Sequence, residues 1–67
     1  MKSLYFASNT GVLIDIKIDI IEEDVFEYIQ EFCRERNFTI RYVRSWIDDN
    51  HVNWFDVGSH TEFFMLK

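Results

Sequence analysis

The sequence contains no proline, two glycines and one cysteine among its 67 residues. One cysteine cannot form an internal disulfide, and no cysteine and histidine cluster has the spacing of a structural zinc site. With two glycines, the chain also lacks a glycine-rich loop of the kind that holds phosphate groups. A domain this small has little stability to spare, so it must depend on dense packing or on association with a partner.

Long apolar runs are also missing from the sequence. No stretch approaches the roughly 18 apolar residues that a membrane-crossing helix needs. The residues from Lys2 onward alternate like a strand and lack the apolar segment of a signal peptide. We therefore expect a soluble cytoplasmic protein whose thiol is reduced.

Hydrophobic residues are abundant: they make up 48% of the chain, and aromatic residues make up 18%. This content excludes a disordered chain and suffices for one core, so we expect residues 1–67 to form a single domain. Acidic residues outnumber basic ones by 12 to 7, which gives a net charge of −5. Phosphate backbones repel such a chain, which disfavours general nucleic-acid binding.

Residues 19–37 are predicted to form the only helix. Asp19 and Glu22 have the spacing of a capping box at its start, and Asn37 is a residue type that often ends helices. An apolar stripe with helical spacing is expected to face the core. The stripe consists of Val25, Ile29, Phe32 and Cys33, with Phe26 and Tyr28 on its flanks.

Five segments are predicted to be strands, because they alternate in polarity or are rich in β-branched and aromatic residues. They cover residues 2–7, 12–19, 38–46, 51–57 and 61–66. Turn signals separate them at residues 8–11, 48–50 and 58–60. The predicted order is ββαβββ, with short connections that pair each strand with its sequence neighbour. One helix packed on one face of an antiparallel sheet is an α+β two-layer sandwich.

The first hairpin allows a register to be predicted, because Gly11 supplies the positive φ of a three-residue loop. This register pairs Ser8 with Val12, Phe6 with Ile14 and Leu4 with Ile16. Alternation along the second strand then directs one row of side chains towards the helix. This row consists of Val12, Ile14, Ile16 and Ile18.

Four glutamates recur at every fourth position along the predicted helix, and we call them the acidic row. They are Glu23, Glu27, Glu31 and Glu35. Like charges at this spacing destabilise a helix by roughly 0.2–0.5 kcal/mol per pair. A charge run is usually a solvated face. The functional hypothesis is that the row docks against a basic surface of a partner protein.

The last two predicted strands carry large apolar residues on both sides. Four of them are Trp54, Phe55, Phe63 and Phe64. Because one helix covers only one face of a sheet, we predict that these residues bind a partner or a second copy of the chain. The last strand is also a predicted sheet edge, which favours pairing with another chain. A curled sheet that buries both sides is the alternative.

No residues form a recognisable catalytic or metal-binding pattern. Cys33 lies on the inner face of the predicted helix, where a thiol acts as a small apolar group. The acidic and histidine residues between positions 48 and 62 match neither zinc nor calcium spacing. We therefore predict that the protein is not an enzyme and requires no metal or cofactor.

The leading hypothesis is a small, acidic, non-catalytic inhibitor or accessory protein that occupies a basic surface of another protein. Such a composition would suit an accessory protein encoded by a phage or another mobile element. One alternative is a homodimeric structural protein that associates through its C-terminal hairpin. The other alternative is single-stranded nucleic-acid binding, because arginines and stacking aromatic residues alternate along the third predicted strand. These residues are Arg41, Tyr42, Arg44 and Trp46.

Overall fold

The computed structural model describes residues 2–59 and 61–67. In this part of the chain one α-helix packs against a five-stranded antiparallel sheet, which confirms the predicted α+β class and the order ββαβββ. The strands are β1 (Lys2–Ala7), β2 (Leu13–Ile20), β3 (Arg44–Ile47), β4 (Asn53–Asp56) and β5 (Phe63–Leu66). A 3₁₀ turn at Glu22–Asp24 leads into the helix α1 at Val25–Glu35.

The strands lie in the order β2-β1-β5-β4-β3. The last strand, β5, is therefore central, and the prediction that it forms a sheet edge is wrong. Across the β1–β5 pairing, Leu4 faces Leu66 and Phe6 faces Phe64. Phe64, Met65 and Leu66 are all buried, so β5 is covered on both of its faces. In the centre of the sheet, the side chains of β5 are flanked on each face by those of two neighbouring strands. A strand that is apolar on both faces therefore loses more contact with water there than at an edge.

The helix is shorter than predicted and begins differently. Asp19 has a φ of 55° near the end of β2, and no side chain among the described residues caps the first turn, so the predicted capping box is wrong. The predicted end at Asn37 is confirmed by its φ of 60°. The Asn37 N–H donates to the Arg34 carbonyl at 3.3 Å, and the Phe38 N–H donates to the Cys33 carbonyl at 2.8 Å. This pair of bonds is a Schellman motif, which fixes where the chain leaves the helix.

The core lies between α1 and the sheet, and the predicted helix stripe is buried in it. The Phe32 ring lies 4.8 Å from the Phe6 ring and meets the Phe64 ring edge-on at 5.7 Å, measured between centroids. The buried cluster contains Leu4, Phe6, Ile20, Val25, Ile29, Phe32, Cys33, Val57, Phe64 and Leu66. Each large apolar side chain that is fully buried contributes about 1.5–3 kcal/mol, so this cluster is the main source of stability.

The first hairpin confirms the predicted register near its turn. Gly11 has a φ of 88°, which lets the three-residue loop close. The Ser8 N–H donates to the Val12 carbonyl at 2.9 Å. Farther along the strands, Phe6 faces Ile14. The Val12 side chain is nevertheless exposed, so its predicted contact with the helix is wrong; it lies beside the loop, where α1 does not cover it.

Farther from the turn, β2 carries two irregularities that shift its register. Leu4 faces Lys17 and not Ile16 as predicted. Each irregularity leaves one extra residue on β2: the first reverses the side to which side chains point, and the second restores it. Ile18, which was predicted to face the helix, is therefore 65% exposed, whereas Ile20 is buried.

The segment predicted as the third strand, residues 38–46, is mostly irregular. Only Arg44–Ile47 pairs as β3, and all four of its residues are exposed. Phe38 packs against the core, and the Arg41 N–H donates to the Val57 carbonyl at 3.1 Å. Phe38 and Ile40 thus contribute to packing, which partly explains why the composition before β3 resembles that of a strand.

The predicted turn at residues 48–50 is confirmed. The Asp48 carboxylate accepts hydrogen bonds from the N–H groups of Asn50 at 2.8 Å and Val52 at 3.0 Å. An aspartate that bonds backbone groups just ahead of it closes a turn locally, and β4 then begins at Asn53.

β4 and β5 are shorter than predicted. β4 ends at Asp56, and β5 begins at Phe63 and not at residue 61. Between them, the Ser59 hydroxyl donates to the Glu62 carbonyl at 2.7 Å. His60, the last residue of the third predicted turn, lies outside the described residues.

Candidate binding surfaces

All four glutamates of the acidic row are exposed. The described residues form two ion pairs, Lys2 with Glu22 at 2.9 Å and Arg44 with Asp56 at 3.3 Å. Neither pair involves the acidic row, so no described cation neutralises its carboxylates. Glu23 lies in the 3₁₀ turn, so repulsion within α1 comes from two neighbouring pairs of the row and adds to about 0.4–1.0 kcal/mol. A cationic partner would relieve this repulsion.

The acidic row does not follow one straight face of the helix. Four residues advance an α-helix about 40° beyond one full turn, so the row winds around α1. Glu31 and Glu35 consequently line a groove beside β2, whereas Glu23 and Glu27 lie away from this groove. The row thus divides into two pairs of equal charge in different surroundings.

This groove, which we call the α1–β2 groove, has a volume of about 360 Å³. Its apolar lining consists of Ile14, Ile16, Tyr28 and Phe32, and its charged lining consists of Asp15, Glu31, Glu35 and Arg36. The Arg36 guanidinium lies 4.8 Å from the centre of the Phe32 ring, a cation–π contact that orients it. Three carboxylates and one guanidinium leave the groove with a net negative charge.

The sheet divides the predicted apolar surface between its two faces. Phe64 is 1% exposed and lies in the core on the helix side. Phe55 faces Phe64 across the β4–β5 pairing and packs against the same core. Trp54 and Phe63 alternate with these residues and lie on the other face. Of the four predicted residues, only Trp54 and Phe63 therefore face away from α1.

Trp46, which the sequence indicates only as a nucleic-acid contact, joins Trp54 and Phe63 on the face away from α1; we call these three residues the aromatic triad. The rings of Trp46 and Trp54 are stacked at 6.4 Å, with 8° between their planes. Phe63 meets both rings edge-on, at 6.1 and 6.2 Å. Such pairs contribute about 0.5–1.5 kcal/mol beyond the burial of their area. The triad therefore partly covers its own face of the sheet.

Asp48 fixes the position of the aromatic triad through Trp54. The indole Nε1–H of Trp54 donates to the Asp48 carboxylate at 2.8 Å. This bond is the main reason that the pKa of Asp48 lies below its ordinary value of 3.8, and the bond from the Val52 N–H adds to the effect. The sequence indicates Asp48 only as a turn residue, because the distance to an indole six residues ahead is not visible in it.

Asp56 is a buried carboxylate, 2% exposed, that sequence reasoning missed. Its Oδ1 accepts the Gly58 N–H at 2.9 Å, and its Oδ2 accepts Arg44 at 3.3 Å and the Tyr42 hydroxyl at 3.4 Å. The signal was an aspartate two residues before a glycine, which is typical of a turn closed by the side chain. Gly58 has a φ of 100°, and a Cβ there would lie 3.0 Å from the Arg41 Cβ.

The arginines do not form one basic patch. Arg36 lines the α1–β2 groove, whereas Arg44 belongs to β3 at the opposite edge of the sheet. The Arg44 guanidinium pairs with Asp56 and lies 5.7 Å from the centre of the Trp46 ring. Its charge is thus partly balanced within the chain.

Reactive groups are few in the described part of the chain. The Cys33 thiol is free and buried, and burial raises its pKa above the ordinary 9.0, which favours the unreactive protonated form. Residues 2–59 and 61–67 contain no group of three or more metal-ligating side chains arranged to hold an ion. None of the helical segments described is long and apolar enough to cross a membrane.

No family model, curated protein or solved structure matches this chain. The features of this chain that bear on function are therefore the acidic row, the α1–β2 groove and the aromatic triad.

Proposed function

We propose that this protein is a small non-catalytic binding module that uses its acidic row to occupy a basic surface of a partner protein. The observation that supports this proposal is that all four carboxylates of the row are exposed and that none pairs with a described cation. Lysine and arginine side chains on a partner would neutralise them and remove the repulsion along the helix.

The helix that carries the row is held firmly in place. Its opposite face is buried in the core, and its C-terminal end is fixed by the Schellman motif at Asn37. Charges on a rigid support lose little conformational entropy when they bind, so more of the interaction remains as affinity.

Electrostatic complementarity of this kind mainly raises the association rate and selects the partner. Binding should weaken as salt is added, because exposed charges are screened over about 8 Å at physiological ionic strength. In this proposal the protein acts as an inhibitor or accessory factor by covering the partner's basic surface.

We propose a reducing compartment such as the cytoplasm for this protein, because its only cysteine is a free thiol. An acidic cover for a basic surface would also suit a protein encoded by a phage or another mobile element.

Capture from a lysate of the source cell tests the proposal when wild type is compared with two charge-reversed variants. Glu27→Lys with Glu31→Lys changes the acidic row, and Asp49→Lys with Glu62→Lys makes the same charge change elsewhere. We expect the row variant to lose the captured partner at low salt and the control to keep it, with circular dichroism showing that both fold. Equal capture by the row variant would contradict the proposal.

A second candidate function is self-association, and the open edge at β3 favours it. Ile47, the residue after Trp46, is 67% exposed on this edge. Because β5 is central, the contact that the sequence suggests for the C-terminal hairpin moves to β3, where two copies could pair edge to edge. Light scattering at micromolar concentration tests this candidate, and a monomeric mass would reject it. Nucleic-acid binding has less support, because Arg44 pairs with Asp56 and the net charge is −5.

A further inference from the structure

Exposed apolar side chains concentrate at the two edges of the sheet. Nine large hydrophobic residues are exposed in the described part of the chain, and all except Phe26 lie in or close to an edge strand. Those at the β2 edge are Val12, Leu13, Ile18 and Ile21, and those at the β3 edge are Tyr42, Val43, Trp46 and Ile47. Proteins usually protect sheet edges with proline, short strands or charge, and this chain has no proline.

The backbone of β2 is open to a further strand. The hydrogen bond from the Ser8 N–H to the Val12 carbonyl fixes the phase of the hairpin, so Phe6 and Ile14 form the next hydrogen-bonded pair. The N–H and carbonyl groups of the intervening residue, Leu13, then point away from β1. The same alternation directs the backbone groups of Asp15 towards the open edge. A regular edge of about four residues is thus available before the first irregularity of β2.

The α1–β2 groove lies directly beside this edge. A strand added to β2 would place every second side chain towards the helix, because side chains alternate between the faces of a sheet. Each such side chain would enter a space lined by Ile16, Tyr28 and Phe32 and bordered by Glu31 and Glu35. A lysine or arginine suits this space, since its aliphatic stem covers apolar surface while its charge reaches a carboxylate.

We propose that a short, extended, lysine- or arginine-containing segment of a partner protein adds to β2 as a sixth strand and places alternate basic side chains in the α1–β2 groove. Main-chain hydrogen bonds to the edge supply affinity in this binding mode, and the groove supplies selectivity. This inference rests on the proposed function, which requires a basic partner. It adds where the partner binds and the conformation of the bound segment. Lys17 limits the length of the bound segment, because it lies at the first irregularity of β2 and would repel a further basic residue.

The probe is a heptapeptide of alternating lysine and valine, acetylated and amidated, titrated to about 1 mM. Binding is followed by amide chemical shifts of the protein. We expect the largest shifts at residues 13–16 and 28–36.

Two matched variants distinguish binding in the groove from general attraction between opposite charges. Glu31→Lys with Glu35→Lys changes the groove, and Glu23→Lys with Glu27→Lys changes only the rest of the row. We expect the first to weaken binding about tenfold and the second less than about threefold.

N-methylated peptides test the strand pairing without altering the protein. Methylation of all lysine amides or of all valine amides removes the N–H donors from one side of an extended peptide. We expect one version to lose binding about tenfold and the other to keep it. A helical peptide with the same charge should bind more weakly than the extended one.

Three results would overturn the inference: no binding of the peptide to the wild type, equal weakening by the two double variants, or equal binding of both methylated peptides. In the last two cases the acidic row could still attract a basic partner. The proposed function fails separately, if the row variant of the lysate experiment captures its partner as wild type does.

Discussion

The two edge strands of the sheet each leave one backbone edge unpaired but are held in place by different means. β2 lies beside α1 and contributes Ile20 to the core and Ile14 to its margin. β3 contributes no buried side chain: all four of its residues are exposed. Its position depends on the stacked pair of Trp46 and Trp54 and on the ion pair from Arg44.

This difference shows that an edge strand does not need an apolar row in the core. Asp48 and Asp56 each bond backbone groups in a turn and also hold a side chain of the β3–β4 hairpin. The β2 edge is stabilised by hydrophobic burial, whereas the β3 edge is stabilised by two aspartates and by aromatic pairs. The free energy of unfolding should therefore respond differently when the same substitution is made at the β2 edge and at the β3 edge.

The largest contrast is expected from one substitution made in both edge strands. Ile20→Ala removes a buried side chain and should destabilise the protein by about 2–5 kcal/mol. Ile47→Ala removes an exposed one and should change stability by less than about 0.5 kcal/mol. Urea unfolding of both variants measures the difference. Similar losses in the two variants would show that both edge strands depend equally on burial.

Asp56→Ala should destabilise the protein by about 2–3 kcal/mol, because the buried Gly58 N–H would lose its acceptor. Arg44 contributes little to this loss, since its exposed guanidinium regains water. Asp56→Asn keeps an oxygen for the Gly58 N–H and should destabilise by about 1 kcal/mol. Urea unfolding ranks the two variants, and an equal loss in both would assign the effect to charge and not to the turn.

The two glycines provide a matched pair, because Gly11 lies in the loop between β1 and β2 and Gly58 lies in the loop after β4. Gly58→Ala should destabilise by about 2 kcal/mol, because alanine is strained at a φ of 100° and its Cβ would crowd the Arg41 Cβ at 3.0 Å. Gly11→Ala has the strain of a φ of 88° without any atom within 4 Å, so about 1 kcal/mol is expected. Thermal unfolding measures both values. A greater loss at Gly11 would show that crowding is unimportant at Gly58.

The smallest expected effect is that of low pH, which should destabilise the β3–β4 hairpin before the rest of the sheet. The pKa of Asp48 is lowered by folding, so its contribution is present above the ordinary value of 3.8 and is lost as the pH falls through the lower folded value. Near-ultraviolet circular dichroism of the stacked tryptophans follows this loss. The Asp48→Asn variant should lack the transition, and a transition of equal size in that variant would exclude Asp48 as its cause.

The features that could be predicted from the sequence are those set by local spacing. The helix stripe follows from a repeat near 3.6 residues, and the stop at Asn37 follows from the conformational freedom of that residue type. The pairing of Phe6 with Ile14 follows from the positive φ of Gly11. In each case the cause lies within a few residues of its effect.

The features that could not be predicted depend on distant residues. The two extra residues of β2 leave its alternating composition unchanged, so the exposure of Ile18 gave no signal. The central place of β5 depends on pairing with β1, almost the whole chain away. The α1–β2 groove exists only because Ile16 and Tyr28 are brought together by that fold. Neighbouring glutamates therefore appeared equivalent in the sequence although they occupy different surroundings.

The insertion of β5 between β1 and β4 has a consequence for the order in which the sheet can form. The first and fourth strands have no contact in the sheet until residues 63–66 join them. Pairing over so large a sequence separation is slow, because most of the chain must first be confined. Before β5 pairs, the folding chain therefore consists of two separate hairpins, and their exposed strands make this the stage at which aggregation is most favoured.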